Sequence, residues 1–188
     1  MSLWSFACAL YAEPGVEPAL LQLQDEHGVS VNHLLAVSWL HAQRRSPADW
    51  STILVEERQL ALNEKVILPI RDFRRSCKGG VSDLLYQQLK ALELVGEQAQ
   101  LRWLETRLLS QRSTNEPMPH TGTAEKVTLY QAVTDYVVAN ASVSDADVVV
   151  VDSAILADGE AMSEKLDASL TEFACLAERG MESLTDAN

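Results

Sequence analysis

Four cations, Arg71, Arg74, Arg75 and Lys78, stand close together in the stretch IRDFRRSCKGG. At offsets of three, four and seven they fall on one helix face. Such a face suits a phosphate or an acidic protein partner, because guanidinium groups bind carboxylates and phosphates with charge-assisted hydrogen bonds. The plainer reading is a solvated face, with cations favoured near a helix C-terminus by the macrodipole. A second set lies in VNHLLAVSWLHA, where Asn32, His33 and Ser38 interrupt a helix apolar nearly all round. A helix of that pattern is buried, and buried amides and imidazoles need partners. Asn32 is expected to clamp a neighbouring helix end, such as the turn at Pro14-Gly15, and Asn32 and His33 are the polar groups of any ligand site among the N-terminal helices.

Other chemistry is sparse. The four histidines, His27, His33, His41 and His120, form no H-E-x-x-H, and His33 and His41 are only loosely cofacial, so no metal site is assigned. Cys8 and Cys175 each follow an alanine in an apolar helical pattern and read as packed thiols, while Cys77, beside Arg74 and Lys78, is the one cysteine to test for reactivity against the plainer reading of an inert, partly exposed thiol. Carboxylate pairs such as Glu56-Glu57 abound in an acidic helical protein and carry no specific signal. The chain has no G-x-S-x-G, P-loop or G-x-G-x-x-G, so no catalytic residue and no cofactor is assigned.

The elements that carry these residues read as helices. Ser2 caps a first helix with the stripe Leu3, Phe6, Ala7 and Leu10, which Pro14-Gly15 ends. A second holds Val16, Ala19, Leu20 and Leu23 and stops at His27-Gly28. Ser30 caps a third from Val31 to about Ala42. Ser46-Pro47-Ala48-Asp49 starts a fourth, with the row Val55, Gln59, Leu62, Val66, Pro69 and Phe73, and Pro69 must kink or split it. After Gly79-Gly80, a helix from Ser82 to about Arg112 carries Leu85, Leu89, Leu92, Gly96, Ala99 and Trp103. Two such helices joined by Gly-Gly predict an antiparallel hairpin. Beyond it, Thr123 is expected to start a helix through Tyr130, Val133 and Val137. Val148–Val151 is β-branched, but a capping box precedes it and no second strand exists to pair with, so helix is expected. The last helix holds Leu166, Leu170 and Phe173 and is expected to stop near Gly180.

Charge is segregated along the 188 residues. Net charge is −3 over residues 1–50, +2 over 51–112 and −11 over 113–188, for a total of −12. The balance makes duplex nucleic acid a poor partner. With the Pro-rich stretch 113–123, it predicts a core domain over 1–112, a linker over 113–123 and an acidic helical C-terminal region over 124–188. Asp145, Asp147, Asp152, Asp158, Glu160 and Glu164 of that region are expected to dock on the basic face. Three well-separated cysteines fit a reducing, cytoplasmic setting, and no apolar run reaches membrane-spanning length.

The positions Leu3-Trp4, Phe6-Ala7, Tyr11, Pro14-Gly15-Val16, Leu23-Gln24, Gly28, Val31-Asn32, Leu34-Leu35 and Trp39 together give the N-terminal block a resemblance. It resembles a family of uncharacterised proteobacterial proteins that form a domain of unknown function. The resemblance implies a small cytoplasmic helical protein and carries over no catalytic residue. The expected fold is therefore all-α: a helical bundle with a long antiparallel hairpin and an acidic C-terminal helical appendage. The expected role is a non-enzymatic protein-interaction or regulatory module with a protein partner. The alternative is a small-ligand (anionic or metal) binding protein or enzyme, with its site between the N-terminal helices.

Overall fold

A computed structural model describes residues 1–44, 50–60, 62–110, 128–144 and 164–186. Among them every regular element is helical: α1 (Leu3–Tyr11), α2 (Val16–His27), α3 (Val31–Ala42), α4 (Trp50–Leu60), a π-helical turn (Asn63–Ile67), α5 (Leu68–Ser76), α6 (Asp83–Ser110), α7 (Leu129–Ser144) and α8 (Glu164–Asp186). The expected linker, the Ser46 cap and Val148–Val151 lie outside the described residues.

Local chemistry sets the helix ends. The Ser2 and Ser30 side chains accept hydrogen bonds from the backbone N–H groups of Ser5 and His33, satisfying donors that the first helical turn leaves orphaned. Gly28 closes α2 in the left-handed region, at φ 65°, where a side chain would be strained. Pro69 has no N–H to give the carbonyl four residues back, so the helix cannot pass unchanged. The chain answers with the π turn just upstream, where the Leu68 N–H bonds the Asn63 carbonyl five residues back.

Helix α3 runs through the middle of the bundle, buried from His33 to Leu40. It packs against α1, α2, α6 and α7. Helix α8 lies against α2, α7 and α1, and α7 against α4. Leu129, Val133 and Tyr136 of α7 and Leu166, Leu170 and Phe173 of α8 join Leu3, Leu20 and Leu34 in one hydrophobic cluster. The acidic C-terminal helices thus supply side chains to the same core as the N-terminal ones. Glu178 of α8 also accepts the Leu129 backbone N–H, capping the start of α7 from a distance. Thr128 caps the same turn, where α7 begins; the helix start expected at Thr123 lies outside the described residues.

Three expectations are corrected. Helix α8 does not stop near Gly180 but continues to Asp186. The glycine is there for space: a Cβ on it would lie 2.9 Å from Glu13 Cγ and 3.0 Å from Leu10 Cδ1. Cys8 and Cys175 are exposed, because each alanine before them takes the inward position. The apolar rows of the hairpin are also shifted. In α4 the buried positions are Trp50, Ile53, Leu54 and Glu57; in α6 they are Glu93, Gly96, Gln100, Leu101, Leu104 and Leu108. Val55, Val66, Phe73, Leu85 and Leu92 of the expected rows are largely exposed.

Replacing Gly180 by leucine should cost about 1–3 kcal/mol, the usual penalty for overpacking a close contact. Equilibrium urea unfolding measures it; an unchanged midpoint would mean that α8 sits farther from α1 than described.

Candidate functional site

Three of the polar residues buried in the core, His33, Glu57 and Gln100, converge on one place. Trp50, Ile53, Leu54 and Glu57 follow the i, i+3, i+4, i+7 pattern of an inward stripe, so α4 carries a carboxylate where an apolar residue would be routine. His33 occupies the corresponding place on α3. His33 Nε2 and Glu57 Oε2 are 2.6 Å apart. Gln100 of α6 donates from Nε2 to Glu57 Oε1 at 2.5 Å, and Asn32 donates from Nδ2 to Gln100 Oε1 at 2.6 Å. On the other side, His33 Nδ1 and the Tyr136 hydroxyl of α7 are 2.8 Å apart. The donor in that pair is set by how many protons the imidazole holds. The result is a relay, Asn32–Gln100–Glu57–His33–Tyr136, drawing on four helices. Trp50 closes it with its ring: the Trp50 and Tyr136 centroids are 5.2 Å apart in an edge-on arrangement, and His33 stands edge-on to Tyr136 at 5.4 Å.

Electrostatics favour an ionised Glu57. Burial raises its pKa, but the charge and hydrogen bond of His33 and the Gln100 amide outweigh it, holding the carboxyl below its ordinary value of 4.5. Tyr136 goes the other way. Burial, then the nearby Glu57 charge, push its phenol well above the ordinary range. Tyr136 is fully enclosed, with no exposed surface. A neutral, enclosed phenol is not a nucleophile for an outside substrate, so the relay as it stands holds the core together.

Sequence reasoning identified Asn32 and His33 and missed Glu57, Gln100 and Tyr136. Asn32 meets a glutamine of α6, not the Pro14-Gly15 turn. The missed signal was present: Glu57 lies seven residues after Trp50 on the inward stripe, and Gln100 lies four before Leu104. A row begun at Val55 hid the first by placing Glu57 off the seam. Ser38 bonds the Leu34 carbonyl at 2.9 Å within its own helix.

The basic cluster does not form one open face. Arg71 reaches Glu93 at 2.7 Å and Glu97 at 2.5 Å, both on α6. Arg74 binds both oxygens of Glu93 and donates to the Tyr86 hydroxyl. Arg75 turns the other way, to Asp25 of α2, at 3.4 Å. Lys78 is exposed, in the turn after α5. Burial would raise the Glu93 carboxyl, but hydrogen bonds from Arg74 and Arg71 win and lower it. Burial leaves Glu97 raised in spite of Arg71. Of the acidic residues expected to dock here, only Glu164 lies within the described set; the anions that occupy Arg71 and Arg74 are those of α6.

Among the described residues, no group of three or more His, Cys, Asp or Glu side chains is placed to hold a metal ion, and no helix is long and apolar enough to cross a membrane. Fold and site together define an all-helical bundle with a closed polar relay at its centre and an ion-paired hairpin at its edge. The chain belongs to the family described as protein of unknown function (DUF2390), whose profile matches residues 2–104. No curated protein and no solved structure matches the chain. The family segment contains Asn32, His33, Glu57 and Gln100, and the basic cluster with its α6 partners; Tyr136 lies outside it.

Two outcomes are expected. Glu57 contributes stability that is present above pH 4.5 and is lost as pH falls toward its lowered folded value, because the unfolded carboxylate takes the proton first. Glu93 acts in the same direction and Glu97 in the opposite one. Glu57→Gln should therefore cost about 1–3 kcal/mol at neutral pH and flatten the fall of the urea midpoint below pH 4.5. An acid dependence identical to the parent's would remove Glu57 from the ion pair. At the hairpin, a double-mutant cycle between Arg74 and Glu93 should give a coupling above about 1 kcal/mol. The same cycle on Arg75 and Asp25, both more than half exposed, should give less than about 0.5 kcal/mol.

Proposed function

We propose that the chain is a non-enzymatic interaction module that binds another protein chain through its α5–α6 hairpin. One observation carries the reading. Phe73 is 56% exposed, Leu92 52% and Val95 61%, on a helix pair that ion pairs hold together from within. Isolated exposed apolar residues need no explanation, but rows of them on a rigid element mark a docking surface. The relay supports the same reading, since its polar groups are satisfied by one another and Tyr136 is enclosed. The alternative, a small-ligand site among the N-terminal helices, finds Asn32 and His33 already bonded to Gln100, Glu57 and Tyr136. A net charge of −12 favours protein over nucleic acid as partner.

A photoreactive phenylalanine analogue placed at position 92 in the full chain tests the proposal in cells of the native host. It should trap a protein partner that the same analogue at Thr106, an exposed polar position of α6, does not trap. Phe73→Glu should abolish the crosslink. Equal trapping from both positions, or none from position 92, would overturn it.

A further inference from the structure

The hairpin has two unlike flanks. Arg75 reaches α2 through Asp25, and Phe73, two residues away and so on the far side of α5, faces away from the body. Val66 and Phe73 are seven residues apart and share that outer side. On α6 the matching row is Leu85, Leu92 and Ala99, also at seven-residue spacing, with Gly96 between the last two. A Cβ on Gly96 would lie 3.0 Å from Ile67 Cγ1 and 4.0 Å from Val66 Cγ1, so the two rows adjoin on one flank. Neither row contains Asp, Glu, Lys or Arg, and the positions beside them (Pro69, Ile70, Cys77, Gln88) are uncharged too.

Accepting that this flank is a docking surface, as proposed above, we infer that it pairs with the same flank of a second copy of the chain. The two hairpins would lie across a two-fold axis as a four-helix bundle. Three features select this occupant. Charge is the first: a chain of net −12 repels its own copy, and a flank without charge is where that repulsion does not have to be overcome at the contact itself. Symmetry is the second. The π turn with α5 and the antiparallel α6 present apolar residues at the same seven-residue spacing, so a two-fold rotation can set each row against a copy, as an isologous contact requires. Size is the third. The shared strip, about 20 Å long and about two helix diameters wide, gives a total buried area of roughly 1,000 Å², the low end for a specific interface. An interface of that size belongs with weak, transient association.

Sedimentation velocity on the full chain, from about 1 µM to about 200 µM, tests the inference across the range of weak association. The mass should rise from 20.7 kDa toward twice that value. Added salt should tighten the dimer by screening the net charge. Leu92→Glu should weaken association at least tenfold. Leu94→Glu, at an equally exposed leucine across the helix, should leave it unchanged. Circular dichroism verifies that both variants keep their helices; should Leu92→Glu unfold, Phe73→Ser takes its place. A monomer at every concentration, or a dimer indifferent to both outer-flank substitutions, overturns the self-pairing. A monomer that still traps a different protein from position 92 overturns this inference alone, leaving the interaction reading standing. A monomer that traps nothing overturns both.

Discussion

Glu57 is a carboxylate inside a hydrophobic bundle, and a buried charge is tolerated only when partners replace the water it has lost. Those partners come from three other helices. His33 of α3 faces one oxygen, Gln100 of α6 donates to the other, and Tyr136 of α7 completes the imidazole's second bond. A one-residue slip of any of these helices would break a bond and leave a buried polar group unpaired. The relay therefore specifies how α3, α4, α6 and α7 sit against one another, while Leu34, Leu104, Val133 and their neighbours provide the apolar burial that drives the packing. It also explains why α7 belongs to the core of a chain whose charge pattern divides near residue 112. Its tyrosine finishes a network begun in the N-terminal half.

The same rule, applied at the edge of the bundle, shapes the hairpin. Arg71 and Arg74 turn toward α6 because Glu93 and Glu97 are within reach and Glu93 is itself buried. An Arg–carboxylate contact with both oxygens engaged is geometrically demanding, and it fixes which side of each helix faces the other. Once the ion pairs take the inner side, the apolar rows that would have made a conventional leucine seam are turned outward. Sequence periodicity alone assigns those leucines to the interior; the ion pairs reverse that assignment. The exposed flank is thus a consequence of the polar interior of the hairpin.

These two networks also decide where chemistry is available. The residues best able to act on a ligand, His33, Glu57, Tyr136, Arg71 and Arg74, are engaged with one another. The hairpin keeps exposed charges at Asp72, Arg75, Lys78 and Lys90, while Phe73, Leu85 and Leu92 give its outer flank an apolar surface that recognises shape more than charge.

The sequence by itself determined the all-helical class, the caps at Ser2 and Ser30, the stops at Pro14-Gly15 and Gly28, the break before Pro69 and the antiparallel hairpin. The caps, stops and break depend on residues within about one helical turn, and the class and hairpin on the periodicity between them, so spacing along the chain is enough to reveal them. Asn32 and His33 were visible as polar intrusions in an apolar helix for the same reason. Their partners were not: Glu57 is 24 residues from His33, Tyr136 is 103 away, and Gln100 is 68 from Asn32. Nothing in local periodicity names a contact at that distance. Gly180 shows the same limit from the other side. It has the look of a helix stop, and only the approach of Leu10 and Glu13 reveals it as a place where two helices must come close. Tertiary structure decided these points because burial and pairing are properties of surfaces brought together by folding.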